Sequence, residues 1–325
     1  MKKYKVQQYE FKYFDQWNAF LSKAKNATFL FHRDFMEYHE ERFQDYSLLI
    51  FEEDKLIAVL PANRVSETVY SHQGLTYGGL VYNKQTKLVS LLDVFLAVLS
   101  FLDQNGIEKI QIKTIPSIYH TEPSEEIQYA LFLTQASLIR RDTLSVIDLS
   151  QVNRLANGRK SGIKKAMQNK LVVKEENDFK QFWNKILIPN LLEKHQTKPI
   201  HSLEEIMKLK TIFPENIKQF NVYHNNFIVA GATIFETVGV AHCQYISKFE
   251  KKQDLNSLDF LFDFLIHKQF SKKRFFDFGS SNVEEGLKLN GGLTYWKESF
   301  GASTIVHDFY EVETANYYKL DTVVI

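Results

Sequence analysis

The chain has 325 residues, of which 44% are hydrophobic and 24% charged, and its formal net charge is +1. This length exceeds what one hydrophobic core usually supports, so we expect two domains of ordinary globular composition. A nearly neutral charge argues against a dedicated nucleic-acid binder, which would carry a strongly basic face.

The N-terminal residues and the cysteine content favour a cytoplasmic protein. Lys2 and Lys3 are not followed by the continuous apolar run of a signal peptide. The most hydrophobic segment, 88–102, is shorter than a membrane span and contains Asp93, so it predicts a buried helix and no membrane span. The single cysteine, Cys243, cannot form an intramolecular disulfide.

The first half of the chain predicts a hairpin followed by a strand, a helix and a strand. Residues 47–51 and 56–62 are apolar runs joined by a charged turn, which is typical of an antiparallel hairpin. A strand-like run, 69–81, precedes a helix over 88–104 and a strand over 107–115. The strand–helix–strand step requires a crossover, so it predicts parallel pairing of the two strands.

A basic segment, 153–173, connects the two halves of the chain. It places four cations within about two helical turns, a spacing that suits the phosphates of a nucleotide-linked or tRNA-linked substrate. These cations are Arg159, Lys160, Lys164 and Lys165. A solvated basic helix face is the alternative interpretation. An amphipathic helix over 178–193 follows, and then Ser202 and Glu205 form the capping box of another helix.

The second half repeats the order of elements in the first. Residues 219–223 and 227–235 predict a hairpin, and 240–247 a strand. A helix over 255–270 and a strand over 274–278 follow. The offset between matching elements is about 170 residues, which indicates an internal duplication. We therefore predict two similar lobes, 1–152 and 153–325.

The segment 274–302 carries the most specific pattern in the chain. It contains FDFG at 276–279, WK at 296–297 and FG at 300–301, and the connecting segment contains RKSGIKKA at 159–166. These patterns resemble the FemAB-like and related two-lobed GNAT acyltransferases. The resemblance implies an α/β (α+β) fold of tandem GNAT-like lobes, each a mixed, mostly antiparallel sheet flanked by helices. It also implies that the strands flanking the long helix splay apart around an acyl-group slot, with the active site in the C-terminal lobe.

A strand that ends in small residues beside a fixed cation allows a ligand to approach backbone amides. We therefore expect this end of the second lobe to bind an anionic or polar part of the substrate. The residues concerned are Gly279, Ser280, Asn282, Trp296 and Lys297. A core role for the aromatic residues and a solvated Lys297 are the alternatives. Further candidates for substrate binding are His72 and Gln73 of the first lobe, with Arg159 and Lys164 of the basic segment.

Attack of an amine on a thioester or ester requires removal of a proton and an acid for the leaving group. The candidate catalytic residues are His242, Tyr245 and Asp277. Residues three apart on a strand point to opposite faces, so His242 and Tyr245 are not expected to act together. A core or cross-strand role is the alternative for His242.

The donor site lacks the glycine-rich loop on which many GNAT enzymes bind the pyrophosphate of CoA. Lys248, Lys251 and Lys252 lie at the corresponding place and predict a cationic substitute for it. The near-neutral charge and the lack of a long heptad segment favour acyl-CoA as co-substrate over aminoacyl-tRNA. His195 and His201 have no cysteine or carboxylate at ligand spacing, so no metal site is expected.

The sequence therefore predicts an N-acyltransferase that acts on an amine of a cell-envelope precursor, such as a nucleotide- or lipid-linked amino sugar. One alternative is an aminoacyl-tRNA-dependent transferase that adds an amino acid to a peptidoglycan precursor. The other is a non-catalytic, ligand-binding pair of lobes. The oligomeric state is left open.

Overall fold

The computed structural model describes residues 4–151, 155–249 and 255–323. The chain divides into two compact units. The first consists of Met1–Asp142, Glu285–Leu287 and Val306–Ile325, and the second of Thr143–Glu284 and Lys288–Ile305.

The elements of the first half alternate short helices with strands. The strands are β1 (Tyr4–Gln8), β2 (Gln44–Asp45), β3 (Leu48–Glu52), β4 (Lys55–Leu60), β5 (Asn63–Val65), β6 (Thr68–Tyr70), β7 (Val81–Tyr82), β8 (Lys109–Lys113) and β9 (Ser137–Asp148). The helices are α1 (Phe14–Leu21), α2 (Arg33–Met36), α3 (Leu88–Gln104) and α4 (Glu126–Leu133).

The second half has longer strands. They are β10 (Val172–Glu176), β11 (Ile217–His224), β12 (Phe227–Glu236), β13 (Val240–Lys248), β14 (Phe275–Ser280), β15 (Asn282–Val283), β16 (Lys288–Leu289) and β17 (Ser303–Glu313). The helices are α5 (Asn157–Gln168), α6 (Lys180–Phe182), α7 (Ile188–His195), α8 (Leu203–Ile212), α9 (Ser257–Phe264) and α10 (Gly291–Glu298). A π-helical turn, Trp183–Leu187, joins α6 to α7, and another, Leu265–Gln269, continues α9.

The first unit contains two runs of paired strands. One has the order β1-β3-β4-β7, and in the other β8 lies between β6 and residues 306–313 of β17. Helix α3 buries leucine, valine and phenylalanine side chains at helical spacing. As predicted, β6 and β8 are parallel across this helix. The predicted continuous strand over 69–81 is wrong, because the chain turns at His72 and Gly79, whose φ angles are +63° and +114°.

The C-terminal strand explains how the units divide the chain. Residues 309–313 of β17 pair with Lys109–Lys113 of β8, so this segment belongs to the first unit. The predicted second lobe, 153–325, includes the same segment. The boundary between 152 and 153 stays a prediction.

The second unit has the antiparallel order β10-β11-β12-β13, after which β14 is parallel to β13 and residues 143–148 of β9 are antiparallel to β14. Helix α9 provides the crossover between β13 and β14, as predicted. Its Leu261 and Phe262 pack with Phe276 and Phe278 of β14 in one buried cluster. The α/β fold of mixed, mostly antiparallel sheets flanked by helices is thus confirmed.

The predicted capping box is also present. The backbone N–H of Glu205 donates to Ser202 Oγ at 3.1 Å, and the backbone N–H of Ser202 donates to Glu205 Oε2 at 2.7 Å. Helix α8 therefore has a fixed start. Within the three described ranges, no helix has the length and apolar composition needed to cross a membrane.

Candidate functional site

In the second unit β13 and β14 stop pairing partway along their length, and we call the place where they part the slot. The two strands pair from Val240↔Phe275 to His242↔Asp277. Strand β13 then continues to Lys248 and β14 to Ser280, with no further register pairs between them in the described residues. Backbone groups of β13 beyond His242 therefore lack a strand partner on the β14 side.

Strand β13 has a bulge at Gln244, where its register with β12 shifts by one residue. Tyr245 lies opposite Thr233, and His242 lies opposite Phe235. Thr233 and Phe235 are two residues apart, so they share a face of β12, and cross-strand partners share that face. His242 and Tyr245 therefore lie on the same face of the sheet. The expectation of opposite faces is wrong because the bulge inserts one residue.

His242 and Asp277 form a buried pair at the point of divergence. Their Nδ1 and Oδ2 atoms are 2.9 Å apart, and Asp277 is 1% exposed. Asp277 Oδ1 also accepts the backbone N–H of Gly279 at 2.7 Å. With the carboxylate as acceptor, the ring proton is assigned to Nδ1, which leaves Nε2 as the atom for proton exchange. Two of the predicted catalytic residues are thus in contact.

Lys297 is 4% exposed, which does not fit the alternative of a solvated lysine. Its Nζ donates to the carbonyl oxygens of Gly279 at 2.9 Å and Ser280 at 2.8 Å. Burial lowers the pKa of Lys297 to about 8. The side chain thus holds helix α10 against the end of β14. Direct contact of Lys297 with a substrate stays a prediction.

The loop after β14 is held by its own polar groups. Gly279 has φ +70°. The hydroxyl of Ser280 donates to Asn282 Oδ1 at 3.1 Å, and the same oxygen accepts the backbone N–H of Thr143 at 2.7 Å. The loop therefore forms a rigid wall of the second unit. Its predicted contact with substrate stays a prediction.

Trp296 lies in an aromatic cluster of the core. Its ring packs edge-on against Phe262, Phe278 and Phe300, at centroid distances of 5.2, 5.7 and 5.0 Å. These contacts bury one face of α10 and fix the position of the neighbouring Lys297. The geometry favours a supporting role for Trp296, whose predicted substrate contact stays a prediction.

Tyr245 is paired with His201, a contact that the sequence analysis missed. The phenol Oη lies 2.7 Å from His201 Nδ1 and accepts the backbone N–H of His201 at 3.2 Å. Burial raises the pKa of Tyr245 to about 12, so the phenol is neutral at pH 7. In the sequence, the spacing of His201 from His195 bears only on metal binding, which it disfavours. No local pattern indicated the pairing, because 44 positions separate the two residues.

The basic segment forms α5, which packs against the first turn of α9. Arg159 Nε donates to Ser299 Oγ at 2.8 Å, and its guanidinium pairs with Asp259 of that turn. A Cβ at Gly162 would lie 2.2 Å from Asp259 Oδ2, so only glycine allows this approach of the two helices. Lys164 is exposed. The predicted phosphate contacts of Arg159 and Lys164 stay predictions.

Lys248 lies half-buried at the end of β13, and its charge acts on the carboxylate of Asp259. The other two cations of the predicted pyrophosphate site, Lys251 and Lys252, lie outside the described residues. The role of these lysines in cofactor binding stays a prediction. In the ranges that the structure describes, no cluster of three His, Cys, Asp or Glu side chains could hold a metal ion.

The first unit has a cavity of about 500 Å³ that His72 and Gln73 both line. The ring of His72 packs against His39 and Phe43, at centroid distances of 5.4 and 5.3 Å. Burial lowers the pKa of His72 to about 3, so its ring is neutral. Gln73 is exposed, and its backbone N–H donates to Asn63 Oδ1 at 2.8 Å.

Two cations of the same cavity lie near one aromatic ring. The guanidinium of Arg140 and the Nζ of Lys113 are 4.6 and 6.0 Å from the ring centroid of Phe309. Burial lowers the pKa of Lys113 to about 8. Both cations already have partners, since the guanidinium of Arg140 donates to Asp142 and the Nζ of Lys113 to the carbonyl oxygen of Leu75. The substrate-binding roles of His72 and Gln73 stay predictions.

Solved structures reveal the fold of the chain. FemX covers 97% of this chain and 99% of its own length, with a TM-score of 0.66 at 9% identity. The chain has a FemAB-like, tandem GNAT fold. A tandem GNAT protein from the clavulanic acid biosynthesis pathway covers 96% of this chain and 99% of its own, with a TM-score of 0.51 at 10% identity.

A third similar structure is the C-terminal domain of a protein assigned as a lysylphosphatidylglycerol synthetase from Agrobacterium fabrum. It covers 80% of this chain and 82% of its own, with a TM-score of 0.55 at 12% identity. No protein-family model matches the sequence, and no curated protein is significantly similar to it. At these identities the likeness concerns the fold, and the chemistry has to be argued from the site.

Proposed function

We propose that this protein is an N-acyltransferase that transfers an acyl or aminoacyl group to an amine in the slot of the second unit. The observation that carries the proposal is the geometry at this slot. Two hydrogen-bonded pairs lie on either side of the bulge in β13: His242–Asp277 at the last register pair with β14, and Tyr245–His201 beyond it. The fold shared with FemX and the tandem GNAT protein supports this assignment.

The reaction forms a C–N bond and breaks the C–S or C–O bond of the donor. The amine loses a proton, and the leaving group gains one. His242, held by Asp277, can exchange a proton through Nε2, and the neutral phenol of Tyr245 provides a second exchangeable proton. Backbone N–H groups of β13 beyond His242, together with the nearby charge of Lys297, suit the developing oxyanion.

A pyrophosphate group at the first turn of α9 would face a carboxylate. A helix N-terminus binds phosphate through free backbone N–H groups and its positive dipole end. Here the carboxylate of Asp259 lies at that turn, paired with Arg159, and Gly162 of α5 packs against it. This carboxylate weighs against acyl-CoA, the donor predicted from the sequence, at this turn, and two of the predicted cations, Lys251 and Lys252, lie outside the described residues.

This observation favours the second candidate donor, an aminoacyl-tRNA. An aminoacyl ester needs no pyrophosphate site, and its polyanionic carrier could contact the exposed cations of α5, among them Lys164 and Lys165. Both donors lead to the same transfer to an amine in the slot. Calorimetry with CoA and with aminoacyl-tRNA decides between the two donors.

We propose as acceptor a cell-envelope precursor such as a nucleotide- or lipid-linked amino sugar. The support for this acceptor is the resemblance of the FDFG pattern at 276–279 and the WK pattern at 296–297 to FemAB-like transferases. A peptidoglycan precursor is the acceptor that accompanies the aminoacyl-tRNA donor. Because both donors are cytoplasmic molecules, the proposal includes a cytoplasmic location.

The test is a product assay on the purified full-length chain. Acyl-CoAs and aminoacyl-tRNAs are offered as donors to nucleotide-linked amino sugars and peptidoglycan precursors, and mass spectrometry detects the mass of the added group. We expect amide formation with at least one pair, and a large loss in the Asp277→Asn variant. Binding of a ligand without product under every condition would instead support the non-catalytic alternative.

A further inference from the structure

We propose that His201 is a positioning residue for the reaction, which fixes the phenol of Tyr245 and takes its proton when the attacking amine is deprotonated. The inference rests on the proposed function. It assigns the proton acceptor for the amine, and it leaves His242, held by Asp277, to serve the leaving group.

The hydrogen bonds around the phenol oxygen indicate where its proton points. A phenol has one hydrogen and two lone pairs on its oxygen. The backbone N–H of His201 donates to Oη at 3.2 Å, and the side chain of Gln244 and the backbone N–H of Ile200 also stabilise this oxygen. These donors occupy the lone pairs of the phenol oxygen. We therefore assign the hydroxyl hydrogen to the contact with His201 Nδ1, 2.7 Å away, and assign this nitrogen as the unprotonated one of the ring.

Packing leaves His201 little freedom. It is 5% exposed and directly precedes the capping box of Ser202 and Glu205, which fixes its backbone. Its ring also contacts Phe235 edge-on at a centroid distance of 6.0 Å. Trp183, in the π-helical turn between α6 and α7, contacts the ring of Tyr245 edge-on at 5.1 Å. Such rigid support is what a proton-transfer pair requires.

The charged groups facing this pair come from two directions. On α8, the carboxylate of Glu205 acts on the phenol and also accepts the backbone N–H of Ser202. On the sheet, His242 and Asp277 lie on the other side of the bulge and are paired with each other. The facing partners of Tyr245 on β12 and in the π-helical turn, Thr233 and Trp183, are uncharged.

The proton balance of the step is simple. As the amine nitrogen forms its bond to the carbonyl carbon, an N–H bond breaks and its proton passes to Tyr245 Oη. The phenol's own proton passes to His201 Nδ1, which becomes an imidazolium and later releases the proton to water. His242 first takes a proton from water at Nε2, gives it to the departing sulfur or oxygen, and so returns to the form that keeps its remaining proton on Nδ1. The step needs no oxidant or reductant.

Kinetics of the donor–acceptor pair found in the product assay provide the first test. Since acid–base groups contribute about 100-fold or more, we expect His201→Gln and Tyr245→Phe each to lower kcat by about 100-fold with little change in KM. The double variant should lose no more than either single variant, because the two residues act as one unit. His201→Gln should also remove one ionisation from the acid limb of the kcat/KM profile.

The matched control is His224→Gln, at the turn between β11 and β12, which should keep wild-type kinetics. Additive losses in the double variant, or an unchanged acid limb in His201→Gln, would assign His201 to structure alone. Thermal unfolding of each variant identifies losses that come from misfolding.

Nitrogen-15 NMR of histidine-labelled, ligand-free protein provides a test that needs no substrate. We expect His201 to have an unprotonated, hydrogen-bonded Nδ1 whose shift changes in Tyr245→Phe, while His224 is unaffected. A protonated Nδ1 in the wild type would overturn the inference. If no donor–acceptor pair gives product, the proposed function fails, and this spectrum alone decides whether the phenol donates to His201.

Discussion

The ammonium group of Lys297 donates to the carbonyl oxygen of Gly279 at 2.9 Å and so ties α10 to the end of β14. The contact lies beyond the point where β13 and β14 have diverged. A buried cation on two carbonyl oxygens rigidifies the wall of the slot and places positive charge beside it. Lys297 thus links the stability of the second unit to the chemistry proposed there.

Replacing Lys297 tests that link. Lys297→Met keeps much of the packed volume but leaves the carbonyl oxygens of Gly279 and Ser280 without their donor. We expect the free energy of unfolding to fall by about 1–3 kcal/mol. We also expect kcat/KM to fall at least tenfold, about 1.4 kcal/mol in transition-state binding. Urea unfolding and steady-state kinetics measure the two effects. Lys185→Met, at an exposed position, is the control. If Lys297→Met is folded and keeps the wild-type kcat/KM, Lys297 has no role in the reaction.

Stability should depend on pH through Lys297. Its pKa is lowered from 10.5 to about 8 in the folded protein, so between these values the unfolded chain binds more protons. The free energy of unfolding contributed by this group therefore rises with pH in that window, by up to about 1.4 kcal/mol per pH unit. The measurement is the difference in unfolding free energy between wild type and Lys297→Met from pH 7 to 10. If this difference in unfolding free energy stays constant or falls as the pH rises, the amine of Lys297 is not desolvated in the folded protein.

Gly279 should not tolerate a side chain. Its φ of +70° is unfavourable for alanine, and a Cβ would lie 3.3 Å from His242 Cε1. We expect Gly279→Ala to lower the free energy of unfolding by about 1–2 kcal/mol and to reduce kcat by displacing His242. Gly291→Ala is the matched control, because nothing lies within 4 Å of its Cβ position. Equal stability of the two variants in urea unfolding would show that the Gly279 backbone is not constrained.

The His242–Asp277 pair should be required for turnover. Asp277→Asn keeps the size of the side chain but removes the charge that orients His242 Nδ1. We expect kcat to fall by about 100-fold or more, as for a positioned acid–base group. His267 and Asp263 form a comparable ion pair at 3.0 Å away from the slot, so Asp263→Asn is the control. A similar small loss in both variants would remove His242 from the mechanism.

Calorimetry can separate the two proposed donors. The carboxylate of Asp259 lies at the first turn of α9, and Gly162 packs against it. We therefore expect no heat of binding with CoA and measurable heat with aminoacyl-tRNA. Binding of tRNA should weaken steeply between low and physiological salt, since counterion release marks a polyanionic ligand. Lys164→Ala with Lys165→Ala should reduce that slope. Tight CoA binding with a shallow salt dependence would restore acyl-CoA as the donor.

Local pattern was sufficient for much of the fold. The apolar spacing of 88–104 predicts α3 at its observed bounds, and the hairpins β3–β4 and β11–β12 follow from apolar runs around polar turns. The apolar run before FDFG indicated β14 and the glycine at its end, whereas no helix was predicted where α10 lies. These features depend on residues near one another in the chain, where periodicity and turn chemistry determine the structure.

Only the tertiary structure decided how the site is assembled. The bulge at Gln244 places His242 and Tyr245 on the same face of the sheet, because pairing with β12 sets the register of β13. The contact of Tyr245 with His201 and the burial of Lys297 arise from packing of segments far apart in sequence. A sequence motif identifies a lysine or a histidine as a candidate. The partner, the burial and hence the pKa of that residue depend on neighbours that the fold brings together.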